Sequence, residues 1–220
     1  RYYDLEFMQI FQVDLNKDYS DVIREAVKIL SYGGVVIFPT DTIYGIGVNA
    51  LNEIAVRKVY KIKNRSYSKP LPIIARNMTW VRGLAYIQPR NEEILKKIWS
   101  HGKVTAVLPK RDIIPDQVTA GAKTVGIRIP DHAFLDELLA KFGYPLTSTS
   151  ANISGEEGTT DINKVIASFE KAEHKPDLII DAGILPKASP STVIDLTGDK
   201  PKLLRIGPSS PAQFLKLLEL

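Results

Sequence analysis

A chain of 220 residues, 44% of them hydrophobic, can bury one substantial core and fits one large domain better than two. Its net charge of +4 is compatible with nucleotides or RNA without being diagnostic of either. The absence of cysteine excludes disulfides, thiol nucleophiles and cysteine metal sites. With no apolar run of about 18 residues and no basic-then-apolar leader, that absence fits a cytoplasmic protein.

Met8 can serve as a start, so residues 1–7 read as a processing or cloning remnant with no role, and 8–220 as the domain. Asp18 to Tyr32 has an amphipathic helical pattern, with Asp18 or Ser20 to cap it and Gly33 to end it. Val35 to Phe38 is a β-branched run, so a short buried strand. Behind it lies Pro39-Thr40-Asp41-Thr42-Ile43-Tyr44-Gly45, a polar loop at the strand's carboxyl end, where open α/β sheets commonly bind ligands. Asn52 caps a second helical pattern, which delivers Lys63-Asn64-Arg65 and then Lys69-Pro70-Leu71. Leu71 to Ala75 reads as a strand, Met78 to Ile87 is mixed, and Pro89 to Trp99 is helical with Pro89 in the first turn.

Val104 to Leu108 and Thr124 to Ile129 read as strands, with a loop over 111–123 between them. A helix from Asp131 to Phe142 ends at Gly143. Leu146 begins a short strand that runs into the hydroxyl-rich Ser148 to Gly155 segment. Thr160 or Asp161 then caps a helix that reaches Glu170. Late strands at Leu178 to Ile180, Thr192 to Leu196 and Leu203 to Ile206 precede a helix at Pro211 to Leu218. Interspersed strands and helices predict an α/β fold: a twisted, open, mixed sheet flanked by helices, with a large basic groove.

The common nucleotide fingerprints are absent, and so is a nucleophile elbow around Ser148 or Ser150. His101, His132 and His174 lie far apart and outside any ligand-spaced motif, so no metal site is expected. Clustered cations after a hydroxyl-rich strand end suit an anion with several oxygens. Taken alone, Lys63, Arg65 and Lys69 would serve as well in a solvated basic loop. Arg128 and Arg205 sit amid aliphatic residues, where a charge needs a carboxylate or a bound anion.

Taken together, in order and spacing, these segments resemble the YrdC/TsaC-type threonylcarbamoyl-AMP synthase family. The resemblance runs from about Asp21 to Gly207. It rests on the Pro39 to Gly45 loop, the two Lys/Arg segments, Gly126-Ile127-Arg128-Ile129-Pro130, Ser150 to Gly155, Pro190-Ser191-Thr192-Val193 and Arg205-Ile206-Gly207. It implies a YrdC-like fold that converts ATP, L-threonine and bicarbonate or CO2 into threonylcarbamoyl-AMP and pyrophosphate. The product would feed threonylcarbamoylation of a tRNA adenosine, with a downstream tRNA threonylcarbamoyl transferase complex as partner.

Carried over residue by residue, Lys63 and Arg65 match the family's Lys-x-Arg and are the implied catalytic pair. Ser150 and Asn152 match its Ser-x-Asn, and both motifs hold nucleotide phosphates. Lys69, Thr124, Ser191, Thr192 and Arg205 fall on the ATP side. Thr42, Arg128 and Ser148 match threonine-holding positions, and Tyr44 lines the pocket. Mg2+ rides on the triphosphate, and RNA or tRNA would contact the basic groove. Two departures stand out: Ile74 where many members carry histidine, and a run of Glu156 to Thr160 where many carry a Lys-Pro-Ser-Pro-Thr-like segment. An end at Leu220 corresponds to a single-domain member or a truncated one. The rival reading is an RNA-binding module without adenylate chemistry, and Ile74 leaves open a relative that handles another acyl adenylate.

Overall fold

The structure is a computed structural model that describes residues 2–5, 8–100 and 103–207, with backbone alone for 2–5. The expected terminal helix at 211–218 and His101 lie outside the described residues. The expected α/β architecture is present, but its strands divide between two six-stranded mixed sheets rather than forming one. The first sheet runs β1 (Tyr2–Leu5), β2 (Met8–Gln12), β10 (Leu178–Asp181), β3 (Val36–Phe38), β4 (Gly45–Gly47), β9 (Thr149–Ser150). Strands β2, β10 and β3 are parallel, and the outer pairs are antiparallel. The second runs β12 (Lys202–Arg205), β11 (Thr192–Asp195), β6 (Val104–Pro109), β7 (Thr124–Arg128), β5 (Ile73–Ile74), β8 (Leu146–Thr147). The segment before Met8, read from sequence as a remnant, thus contributes an edge strand.

Helices follow their sequence signals closely. In α2 (Glu53–Ile62) the Asn52 side chain accepts from the Ala55 N–H, and in α7 (Ile162–Glu170) Asp161 accepts from Asn163. Pro89 opens α4 (Pro89–Trp99), and Gly143, at φ 81°, closes α6 (Ala133–Phe142) in the left-handed region that favours glycine. In α1 (Ser20–Ser31) the capping position is Tyr19 and makes no side-chain bond, while Asp18 instead accepts from the Ser20 N–H. The mixed 78–87 stretch holds α3 (Met78–Leu84), capped by Asn77. A single turn, α5 (Asp116–Thr119), interrupts the 111–123 loop.

Alternation along the strands sorts their faces. Val36 and Phe38 join Leu178 and Ile180 under α1 and α6, whereas Ile37 and Ile179 face the larger cluster shared with α2 and α7. Among the described residues no helix is long and apolar enough to cross a membrane.

The two sheets meet where residues 146–150 pass from one to the other: β8 belongs to the second sheet and β9 to the first. Beside that crossing, a Cβ on Gly47 would stand 1.8 Å from the Thr147 carbonyl oxygen, so the two backbones touch. At Gly45, where the sequence reading ends its polar loop, a buried strand, β4, begins, and its glycines hide it from a propensity reading.

Candidate active site

Between the sheets lies a cavity of about 400 Å3. The second sheet builds one wall through strict alternation. Thr124, Gly126 and Arg128 of β7 face the cavity, while Val125 and Ile127 face the core; on β6, Thr105 and Val107 face it, while Val104, Ala106 and Leu108 do not. The loop between β3 and β4 contributes Thr40, Thr42 and Tyr44, and β9 contributes Ser150, with Ser148 at the crossing. Arg65 and Arg205 complete the rim. Cations and hydroxyls up to 165 residues apart in sequence thus share one hollow.

The Pro39 to Gly45 loop is held by its own threonines. Thr40 Oγ1 donates to the Ile43 carbonyl at 2.7 Å and accepts from the Thr42 N–H at 3.0 Å. Its one hydrogen is then committed, so at the 3.0 Å contact between the two hydroxyls Thr42 donates. Thr42 Oγ1 is left to accept, and it takes Arg128 Nη1 at 3.1 Å. The other terminal nitrogen of Arg128 pairs with Asp41, the two side chains being 8% and 5% exposed. Asp41 also accepts from the Asp131 N–H at 3.3 Å. Burial, then the nearby Arg205, holds the Arg128 guanidinium down at about 10. Its Nε is a buried donor without a partner among the described residues, and Nδ1 of neighbouring His132 is likewise buried and unpartnered. A carboxylate in the cavity would satisfy the Arg128 donor.

The other two arginines are held differently. Arg65 donates to the Lys69 and Pro70 carbonyls at 3.3 and 3.0 Å. Arg205 donates to the Ser191 carbonyl at 3.0 and 2.8 Å and to Ser191 Oγ at 3.3 Å; that hydroxyl also meets Thr105 Oγ1 at 2.8 Å. Neither has a carboxylate partner among the described residues, and partial burial lowers the pKa of both.

Four expected ligand residues stand behind the wall rather than on it. Lys63 is two residues from Arg65 and points the other way, as such a spacing does at a helix end. It is 1% exposed and donates to the backbone carbonyls of Ser150 and, at 2.6 Å, Asn152. Burial, then Arg65, pushes its ammonium down to about 7. Asn152 spends its amide on the Ile153 and Glu156 carbonyls at 2.8 and 2.9 Å, which fixes the Ser150 to Glu156 turn. Thr192 alternates with the cavity-facing Ser191 and Val193, so its buried hydroxyl accepts from the Gly207 N–H instead. Lys69 is exposed and contributes its carbonyl to Arg65.

Tyr44 does line the cavity, but its hydroxyl donates to the Gly183 carbonyl at 2.8 Å and accepts from the Ala182 N–H at 3.1 Å. Its side chain is fully buried and burial raises its pKa, so the hydroxyl ties the loop to the 182–183 backbone rather than serving as a proton donor.

Sequence reasoning missed Asp41, Thr40, Thr105 and Gly158. A signal for Asp41 existed: a strand arginine amid aliphatic residues requires a counter-charge, and Asp41 lies in a strand-end loop. Gly158 lines the cavity because a Cβ there would stand 2.5 Å from Ile43 Cδ1 and 2.9 Å from Ser150 Cβ. Ile74, the departure from histidine, also lines it.

The Sua5/YciO/YrdC family, described as telomere recombination, matches residues 28–207. A Methanocaldococcus jannaschii protein named as a putative threonylcarbamoyl-AMP synthase is 41% identical over 196 residues, 88% of this chain and 90% of that one. Threonylcarbamoyl-AMP synthases of Pyrococcus abyssi and Bacillus subtilis are 38% and 37% identical over 84% of this chain, which spans 54% and 53% of their lengths. The crystal structure of P. abyssi Sua5 complexed with L-threonine superposes with a TM-score of 0.88 at 35% identity, covering 95% of this chain and 60% of that one. Escherichia coli YciO superposes at 0.83 with 26% identity over 94% of this chain and all of its own.

Proposed function

The chain belongs to the Sua5/YciO/YrdC family, and from that premise we propose that it is a threonylcarbamoyl-AMP synthase. It joins L-threonine, bicarbonate or CO2, and ATP into threonylcarbamoyl-AMP and releases pyrophosphate. The observation that carries this reading is the convergence of Arg65, Arg128, Ser150 and Arg205 on one cavity with the hydroxyls of Thr42 and Ser148. The names of the similar synthases and the threonine complex of the P. abyssi protein support it. An RNA-backbone binder needs surface cations, not a buried arginine paired inside a hollow.

In this reading the threonine carboxylate meets Arg128, whose unpartnered Nε supplies the extra donor. The α-amine takes up CO2, losing a proton, and the resulting carbamate oxygen attacks the α-phosphorus as the bond to the β-phosphate oxygen breaks. Such a transfer depends on placement and charge neutralisation more than on a covalent nucleophile. Arg65 neutralises phosphate charge and Arg205, with Ser191 and Thr124, holds the nucleotide. Lys63 acts as a positioning residue: its ammonium fixes the Ser150 and Asn152 backbone, so that Ser150 faces the substrates. Mg2+ would take its oxygens from the triphosphate and water, since Asp41 is committed to Arg128.

We place the enzyme in the cytoplasm, upstream of a transferase that delivers the carbamoyl group to tRNA. Mass spectrometry of the products from ATP, threonine and bicarbonate tests the proposal. Threonylcarbamoyl-AMP and pyrophosphate are expected; ATP and threonine recovered unchanged would sink it.

A further inference from the structure

Counting hydrogens around Thr40 and Thr42 settles which way each bond in the Pro39 to Gly45 loop runs. The Ile43 carbonyl can only accept, so the one hydroxyl hydrogen of Thr40 lies on it, at 2.7 Å. Thr40 Oγ1 then accepts twice, from the Thr42 N–H and from the Thr42 hydroxyl, both at 3.0 Å, and is saturated. The Thr42 hydrogen is thereby spent inside the loop. Arg128 Nη1, which can only donate, occupies one lone pair of Thr42 Oγ1 at 3.1 Å. What Thr42 keeps for the cavity it lines is a single lone pair and no hydrogen.

Its neighbours differ. Arg128 Nε is unpartnered and can only donate. Ser148, on the same cavity, makes no side-chain hydrogen bond among the described residues, so its hydroxyl can turn either way. Thr42 is 3% exposed. A ligand oxygen without a hydrogen, placed against it, would set lone pair against lone pair where little water can intervene.

We propose that Thr40 is a specificity-determining positioning residue. By fixing the direction of this relay it makes Thr42 an acceptor alone, so the amino acid is admitted with an N–H or O–H against Thr42 and refused with a bare oxygen there. The assignment rests on the synthase reading for the identity of the amino acid, but the binding is measured without turnover. The requirement also survives the reaction. The α-nitrogen carries a hydrogen as ammonium, amine and carbamate, and the side-chain hydroxyl keeps its own throughout.

The test is calorimetric titration of two ligand pairs. O-methyl-L-threonine is compared with L-threonine, whose hydroxyl hydrogen it lacks. 2-Oxobutyrate is compared with 2-aminobutyrate, whose amine it replaces by a bare oxygen. The proteins are the wild type, Thr40→Val, which frees the Thr42 hydrogen, and Thr40→Ser, which keeps the relay; circular dichroism checks folding. In the wild type at least one hydrogen-free analogue is expected to bind roughly 10- to 100-fold more weakly than its partner. The pair affected tells whether oxygen or nitrogen faces Thr42. Thr40→Val should gain affinity for that analogue, which a merely loosened loop cannot produce, and Thr40→Ser should keep the wild-type ratio.

Equal affinities within both pairs in the wild type would overturn the proposal without any variant. So would a Thr40→Val protein that binds all four ligands more weakly by one factor, which reduces Thr40 to a brace for the loop. A wild-type chain that binds none of the four overturns it together with the synthase reading. If the ratios behave as expected but ATP, threonine and bicarbonate give no adduct, the synthase reading fails and the role of Thr40 stands. Adduct formation with equal affinities within both pairs does the reverse.

Discussion

The two ends of the cavity solve the same electrostatic problem in opposite ways. At the Arg128 end the cation is buried, and an internal carboxylate, Asp41, balances it. At the other end Arg65 is partly buried and Arg205 exposed, and both rest on backbone carbonyls and one serine. A fully desolvated guanidinium without a counter-ion would be costly enough to expel itself or unfold the site. A half-solvated one is tolerable and keeps its charge available. The first end is therefore close to electrically neutral and suited to a zwitterionic amino acid. The other carries surplus positive charge and suits a triphosphate.

The largest expected effect breaks the balanced end. Asp41→Asn leaves Arg128 buried without its carboxylate and should cost about 3–5 kcal/mol in urea denaturation. A loss below about 1 kcal/mol would mean that Arg128 is not desolvated as the structure indicates.

The unbalanced end should respond in the opposite currency. Arg65→Ala is expected to lower adduct formation by about 10²–10³-fold, with stability changed by under about 1 kcal/mol. A variant that turns over normally removes Arg65 from the chemistry.

Lys63 sharpens the contrast through pH. Its folded value of about 7 lies below the ordinary 10.5. Between those values the unfolded chain holds a proton that the folded chain has released, so stability rises with pH, by up to about 1.4 kcal/mol per unit. Below pH 7 both states are protonated and this contribution is flat. The stability difference between wild type and Lys63→Met should climb from pH 7 to 10; a level difference would show the ammonium to be solvated.

A smaller effect is expected from Ser191→Ala, which removes one acceptor of Arg205 but leaves the Ser191 carbonyl. KM for ATP should rise by about 1 kcal/mol equivalent, with KM for threonine unchanged. A rise in both would break the separation of the two ends.

The local layer of this fold was legible because local chemistry dictates it: Asn52, Pro89, Gly143 and Asp161 each stand where a helix boundary needs that residue. The division into two sheets was not, since strands of two or three residues such as β5, β8 and β9 are specified by long-range pairing rather than by their own composition. The segments that motif spacing singles out meet at the cavity, but not all of their side chains line it. Ser191 and Thr192 were assigned together, although alternation on a strand sends one of them away. Lys63 and Arg65 were paired as phosphate ligands, although a two-residue step at a helix end separates their directions. Asp41 lies 87 residues from Arg128, a distance at which sequence can demand a partner but cannot choose it.

The contact between Gly47 and the Thr147 carbonyl welds the two halves of the molecule along their common edge. A clamshell needs slack in its hinge line, and nothing bulkier than a hydrogen atom fits here. Ligands of different bulk must then be accommodated by rearranging the connecting segments, not by changing the angle between the walls. Spin labels at the exposed positions Gln12 and Lys202 are expected to report one unchanged separation whether the chain is empty or loaded.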